Sequence, residues 1–453
     1  MSRCQGWLAV SAALAGSLWA IGYPGVASAA TISVTNCSDD GAGSLRVAVA
    51  GAASGDTIDM RGLSCSVIRT TDAILVPQAN LTLQGPGYKR LAIDIDWSDS
   101  VLRHTGGGLL RLRGVALLHG TRRAPTAQGG CVYSNGSVEI YDASLSNCGA
   151  HGLGAGPTAG LGGGIYADGD VTVRFSAVRS ATARGGIANG GGIFAGGKVT
   201  LVRARITAGS AARGGGVYAT TNGATFDTST VSDNTAIRDG GGLYAVGPVS
   251  ISHSTIARNV ANRSGGSIWM PQADVDALIV NSTISGNRAA LWAGGRVEGD
   301  TSLANATIAF NQEIPEANLS GEYPPCPGGG FSARHIHAES TIASDNECIY
   351  RDNDAGQTGD LHEPLPGLWS DDGQTTGSNN LVSIAFLMPP DTLTANARLL
   401  PLANNGGYTE THRTDSGSAW DNGNNSAGLL HDQRGAGFPR VKGARTDIGA
   451  YEH

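Results

Sequence analysis

Charge is scarce in this chain: Asp, Glu, Lys and Arg make up 15% of its 453 residues and leave a formal net charge of −7. A nucleic-acid partner calls for a basic face, so that partner class is excluded. After Ile21 no apolar run approaches the roughly 20 residues needed to cross a bilayer. The three-and-four spacing of an amphipathic helix does not recur, which argues against a helical solenoid. No cysteine pair has C-x-x-C spacing, so no metal and no cofactor is expected. There is no Gly-x-Ser-x-Gly elbow to nominate a nucleophile.

What is present begins with an export signal. Arg3 lies in a short basic start, an apolar stretch runs from Trp7 to Ile21, and Ala27-Ser28-Ala29 has the A-x-A form of a cleavage site. Residues 1–30 are therefore expected to leave as a signal peptide, placing the mature chain outside the cell or on its outer surface, with the periplasm as the alternative. The sequence ends at Glu452-His453 without a hydrophobic tail, so surface attachment is expected to be indirect. Cys4 departs with the leader. The other six cysteines fall in sequence-close pairs, Cys37 and Cys65, Cys131 and Cys148, Cys326 and Cys348. In an oxidising compartment neighbour pairing is the simplest disulfide pattern, one among the roughly 15 that six cysteines allow.

Glycine is abundant, at 68 residues, without the three-residue period of collagen. It marks a repeat. Gly-Gly-Gly-Val-Tyr-Ala at Gly214–Ala219 returns as Gly-Gly-Gly-Leu-Tyr-Ala at Gly240–Ala245. Eight copies begin at Gly129, Gly162, Gly190, Gly214, Gly240, Gly265, Gly294 and Gly328, spaced by 33, 28, 24, 26, 25, 29 and 34 residues. Each is followed by an alternating phrase such as Val249-Ser-Ile-Ser-His-Ser-Thr-Ile-Ala-Arg-Asn259. Short strands on this period, about three per turn, predict a right-handed single-stranded parallel β-helix with coils stacked ~4.8 Å apart. Propeller blades need roughly 40–50 residues each.

In such a stack one position of the repeat becomes a column. Asn234, Asn259, Asn287 and Asn311 form one, expected to be an inward amide ladder satisfying the backbone at a turn. In the glycine phrase Val132, Ile165, Ile193, Val217, Leu243, Ile268, Val297 and Phe331 are expected to face inward. Tyr133, Tyr166, Phe194, Tyr218, Tyr244 and Trp269 alternate with them and face outward, the column continuing to Glu298 and Ser332. This stripe has two readings: cross-coil pairs that stiffen the sheet, or a candidate platform for sugar rings.

Gly43-Ser-Leu-Arg-Val-Ala48 with Gly55-Asp-Thr-Ile-Asp59, and at the other end Leu399-Leu-Pro-Leu-Ala-Asn-Asn-Gly-Gly-Tyr-Thr409, Asp432-Gln-Arg-Gly435 and Thr446-Asp-Ile-Gly-Ala-Tyr-Glu452, resemble the secreted β-helix family defined by a CSLREA element and a choice-of-anchor Q region. The glycine phrases with Ile256-Ala-Arg-Asn259, Ile284-Ser-Gly-Asn287 and Ile308-Ala-Phe-Asn311 are similar to the repeats of chlamydial polymorphic outer-membrane adhesins. The resemblance implies a pectin-lyase-like β-helix on or outside the cell more strongly than it implies an activity.

The expected organisation is a helix after Ser44, from Leu45 to Ala53, covering one end of a solenoid that fills residues 31–358. Residues 359–453 form an irregular cap closing the other end, with Asp432, Arg434, Asp447 and Glu452 in a charged network. Arg440-Val441-Lys442 has no assigned role. Many β-helix proteins are polysaccharide lyases or hydrolases, which need paired carboxylates or a cation held by several. Asp168 with Asp170, and Asp274 with Asp276, share faces but lack acidic counterparts in both adjoining coils. His335 and His337 alternate on one strand and so point the same way, a candidate metal pair or the product of a local register slip. The functional expectation is a secreted binding or scaffolding solenoid acting on extracellular polysaccharide or cell-surface glycan, with a carbohydrate-active enzyme as the alternative.

Overall fold

The structure is a computed structural model that describes residues 29–314, 326, 330–350, 361–415 and 417–453. The expected signal peptide lies almost wholly outside the described residues. Within them no helix is long and apolar enough to cross a membrane.

The repeat unit is a coil of four short strands. One coil has Val217–Ala219, Ala224–Asp227, Thr230–Ser232 and Thr235–Asp239. The next has Leu243–Ala245, Val249–Ser252, Thr255–Ala257 and Val260–Ser264. Each strand pairs in parallel with its counterpart, Tyr218 opposite Tyr244 and Ile256 opposite Val231. First and second strands of successive coils build one sheet, third and fourth strands the other. Three strands per turn were expected; each coil has four, two in each sheet, with Thr220–Gly223 separating the first pair and Asp233-Asn234 the second. The result is a parallel β-solenoid. Alternation sends Val217, Ala219, Ala224 and Phe226 inward, where all are buried in a core continuous from Val34 to Val382. At about 1.5–3 kcal/mol per buried aliphatic or aromatic side chain, this core dominates the stability of the stack.

The Gly-Gly-Gly turn has a steric origin. Its first glycine is left-handed, with φ between 61° and 68° at Gly129, Gly162, Gly190, Gly214, Gly240 and Gly265. A side chain there would run into a carbonyl of its own turn, Val217 O in the case of Gly214. One at the second glycine would strike the next coil, as Gly215 meets Gly241 O. A larger residue would force the coils apart.

The ends differ from expectation. At the N-terminus Ser44 Oγ accepts from Val47 N at 3.3 Å and caps a helix that stops at Ala50, because Gly51 ends it. Gln78 then donates to Val49 O and Ala52 O, at 2.8 and 2.9 Å, tying the end of the short helix to the neighbouring coil. At the other end the stack does not finish at residue 358. Leu368–Ser370, Thr376–Ser378 and Leu381–Val382 add coil strands beneath Phe331–Glu339 and Ile342–Ser344. The remainder, from Ala395, folds back along the side of the solenoid instead of closing its end. This strap lies on the third strands. Asn379 meets Asn422 O at 3.2 Å, Ala450 N meets Thr307 Oγ1 at 3.0 Å, Thr283 meets Gln433 at 2.6 Å and Tyr408 Oη meets Arg203 O at 2.6 Å. It buries Thr255, Thr283 and Thr307, whose side chains point out of the core.

Candidate functional site

The asparagine column is a continuous inner ladder. Asn234, Asn259, Asn287 and Asn311 donate from Nδ2 to the Oδ1 of the next asparagine, each at 2.9–3.0 Å, and Asn346 extends the series. The same Oδ1 atoms accept the backbone N–H of the preceding ladder residue, and each Nδ2 also reaches a carbonyl of the previous coil, as Asn287 does to Ile256 O at 3.0 Å. In the earlier coils the column passes through Ala181 to Cys148, which is disulfide-bonded to Cys131. Cys37 bonds Cys65 and Cys326 bonds Cys348, completing the neighbour pairing. A parallel serine series, Ser229 N to Ser254 Oγ and Ser254 N to Ser282 Oγ at 3.0 and 3.1 Å, satisfies the corner before the third strand. The recurring Ser-Thr-Ile of the sequence was the signal for it.

The aromatic residues pair in one column: Tyr133, Tyr166, Phe194, Tyr218, Tyr244 and Trp269. Tyr133 to Tyr244 stack face to face, with centroids 4.9–5.6 Å apart and planes within 10°. Arg103 covers the outer face of Tyr133 at 4.4 Å, and Trp269 stacks on Trp292 at 5.4 Å. The rings thus turn their faces to one another and present edges to solvent. A sugar lying on this wall would meet ring edges and the hydroxyls of Tyr218 and Tyr244, since Tyr133 and Tyr166 donate theirs to Asn135 and Asp168. Burial pushes the Tyr218 and Tyr244 phenols above their ordinary range. The column continues to Arg296, not Glu298, and then to Ser332 and Trp369. The slip places Val297 beside Met270 instead of Ile268, because the chain enters this coil through Trp292-Ala-Gly-Gly295 and one unbroken strand, Arg296–Ala304. Val297 stays buried, and Arg296 joins Glu298 and Asp371 at 2.8 Å.

Open aromatic surface lies elsewhere. At the corner after the second strand the residue adopts φ of 44–54° in coil after coil, from Asp142, Phe175 and Arg203 to Asn379. The strap covers this corner from Arg203 onward, as its contacts with Arg203, Asn281, Asn305 and Asn379 show. Before Arg203 it is bare. There Tyr141 is 44% and Phe175 39% exposed, packed edge to face at 5.4 Å, with the Arg203 guanidinium 5.5 Å from the Phe175 ring. Sequence periodicity missed this pair because the corner position is aromatic in one coil only. Ahead of the pair a cleft of about 460 Å³ opens between Gly85–Gly87, Arg113-Gly114 and Tyr141-Asp142.

The candidate acids and histidines are engaged in local structure. Asp168 accepts from Tyr166 at 2.6 Å and Asp170 from Lys198 N at 2.7 Å. Asp276 accepts from Asp300 N at 3.1 Å, and Asp274 faces Arg334 at 3.5 Å. His335 and His337 do point the same way, outward of buried Ile336 and Ala338. Each lies against carboxylates: His335 against Asp300 at 2.7 Å and Asp372 at 3.0 Å, His337 against Glu339 at 3.4 Å. Among the described residues no group of three or more His, Cys, Asp or Glu is arranged to hold a metal ion.

The charged network sits in the strap. Arg434 chelates Asp432, with Nε 2.9 Å from Oδ2, donates to Glu452 O at 2.6 Å, and lies between the rings of Phe438 and Tyr451. Arg440, unassigned from sequence, is buried beside Glu452 at 3.5 Å and donates to Asp447 O at 2.6 Å. Burial pushes the Glu452 carboxyl up to about 7. His412 is the strap's buried titratable contact, its Nε2 2.8 Å from Ser285 Oγ and its Nδ1 2.7 Å from Leu400 O. Desolvation holds its pKa below 6.5. A depressed imidazole contributes stability above the unfolded pKa and loses it as pH falls below about 6.5. Between pH 7 and 5 His412 is therefore expected to contribute a fall in Tm on acidification, read as the difference between the wild type and His412→Gln, whose amide can keep one donor and one acceptor and whose Tm should fall less or rise more over the same window. An unchanged slope in calorimetry would remove His412 as a source. Glu452 acts with opposite sign, its contribution falling as pH rises from 4.5 through about 7.

No protein-family model and no curated protein matches the chain. Among solved structures the crystal structure of a pectate lyase, Pel9A, is similar at 12% identity and a TM-score of 0.40, covering 95% of this chain and 98% of that one.

Proposed function

We propose that this is a secreted, non-catalytic solenoid that binds glycan on its outer wall. The observation that carries the reading is the exposed Tyr141–Phe175 pair on the bare corner, flanked by Arg113 and Arg203. Exposed rings offer the apolar faces on which pyranose rings stack, and neighbouring guanidiniums hydrogen-bond to hydroxyl or acid groups. The stacked file from Tyr133 to Tyr244, followed in the column by the Trp269–Trp292 pair, serves as the stiff wall beside this corner and adds ring edges to its surface. The alternative is a polysaccharide lyase or hydrolase. Its chemistry needs a carboxylate pair or a base left free toward substrate, whereas Asp168, Asp170, Asp276 and His335 are taken up by neighbours.

The test is a panel of neutral and uronate-bearing polysaccharides, assayed for binding and for newly formed chain ends, with calcium present. Binding without new ends is expected. Tyr141→Ala with Phe175→Ala should weaken binding about tenfold or more, on the scale of one or two lost stacking contacts. Tyr218→Ala, Tyr244→Ala and Trp269→Ala together should lower the Tm while leaving affinity within about twofold, because these faces are covered. Affinity that falls with the file and not with the corner pair would move the site to the file. New chain ends on any polysaccharide would replace the binding reading with the enzymatic one.

A further inference from the structure

The cleft beside Tyr141 is lined by three arginines, Arg61, Arg90 and Arg113, in a chain whose net charge is −7. Their local anions do not match them. Glu139 is shared, 3.1 Å from Arg111 Nε and 3.6 Å from Arg113 Nη2, so one carboxylate faces two guanidiniums. Arg113 Nε is buried and has no hydrogen-bond partner. Arg61 holds Asp59 at 2.9 Å yet remains largely exposed, and Arg90 is exposed and makes no ion pair among the described residues. The exposed guanidinium groups of Arg61, Arg90 and Arg113, with too few carboxylates to pair them, offer donors to an acceptor from outside.

Gly85, Gly87 and Gly114 line the cleft; the first and last are small because their coils pack against each other, and Gly87 leaves open space beside Asp142. Gln84 and Asp142 stand at its wall as an amide and a carboxylate able to meet sugar hydroxyls, and Tyr141 supplies an exposed ring. Guanidinium forks match a planar carboxylate bidentately and also hold sulfate esters. We propose that this cleft binds an anionic saccharide, a sugar ring carrying a carboxylate or sulfate, with Arg113 and Arg90 on the acid group and Tyr141 against the ring. The proposal rests on the glycan-binding reading and names its ligand class.

Calorimetric titration of the mature chain with four probes tests it: a uronate hexasaccharide, a sulfated hexasaccharide, a neutral hexasaccharide and polyglutamate of matched charge. At least one charged sugar is expected to bind about tenfold or more tightly than the neutral one, with affinity falling as salt is raised. Arg113→Gln with Arg90→Gln should abolish that preference; Arg263→Gln, an exposed arginine in a distant coil, should keep it. The stronger of the two charged sugars identifies the acid group. Equal binding of neutral and charged sugars, or a preference that survives Arg113→Gln with Arg90→Gln, overturns this inference and leaves the glycan reading standing. Polyglutamate binding as tightly as the charged sugars overturns the saccharide reading itself, and so does the absence of binding by every probe.

Discussion

Asn287→Leu is expected to destabilise the solenoid by about 3–5 kcal/mol, since several buried groups would lose their partners at about 1–3 kcal/mol each. Asn287 is fully buried and central in its ladder. Its Oδ1 accepts from Asn259 N and Asn259 Nδ2 at 2.9 and 3.0 Å, and its Nδ2 donates to Asn311 Oδ1 and Ile256 O at 2.9 and 3.0 Å. Leucine fits the volume but answers none of these groups. It also leaves the turn after left-handed Gly286 without its internal bracing. Asn287→Asp keeps the acceptor for Asn259 but sets a buried anion against Asn311 Oδ1 and Ile256 O, so it should be equally damaging near neutrality and milder in acid. Urea unfolding with an unchanged m-value reads both variants. A loss below about 1 kcal/mol for Asn287→Leu would show that the ladder is dispensable.

Arg434→Met should unfasten the strap, at a cost of about 3–5 kcal/mol for a buried ion pair broken on one side. Arg434 and Asp432 are both buried, and the guanidinium is sandwiched at 4.1 and 3.8 Å from the ring centroids of Phe438 and Tyr451. Methionine preserves much of the apolar contact. It leaves Asp432 with only backbone donors, Arg434 N and Glu452 N at 2.8 Å. The strap holds the middle coils through polar contacts with Thr255, Thr283, Ser285 and Thr307 and the last coils through a small apolar cluster of Ile342, Leu381, Ala397, Ala419 and Ile448, far smaller than the solenoid core, so it is expected to release before the coils unfold. Limited proteolysis should cut between residues 395 and 453 while the core of coils remains intact. A single cooperative transition with no early cleavage would mean that strap and solenoid unfold as one unit.

The solenoid was legible in the amino-acid order because its partners recur. Each coil packs on the one 24–34 residues away, so a requirement at one position repeats as a column. Asn234 to Asn311, the glycine turns, the inward aliphatics and the stacked aromatics all follow from that. The three disulfides do as well, since each closes within roughly one coil, at separations of 28, 17 and 22 residues. The column misread at Glu298 shows the limit: a glycine phrase that looks like the others enters its coil two residues out of step, and only pairing with Trp269 reveals Arg296 as the true neighbour.

The strap and the open corner belong to the folded molecule alone. Thr255, Thr283 and Ser285 occupy outward positions whose composition suits solvent as well as a lid, and they meet Glu410, Gln433 and His412 at separations of 155, 150 and 127 residues. Contacts that distant have no period to expose them. Where the strap ends, at Arg203, decides that Tyr141 and Phe175 stay open, and which rings stack on which decides that Tyr218 and Tyr244 do not offer their faces. A repeat dictates its own stacking, because each coil is the template for the next. What lies across the outside of that stack depends on a segment outside the repeat.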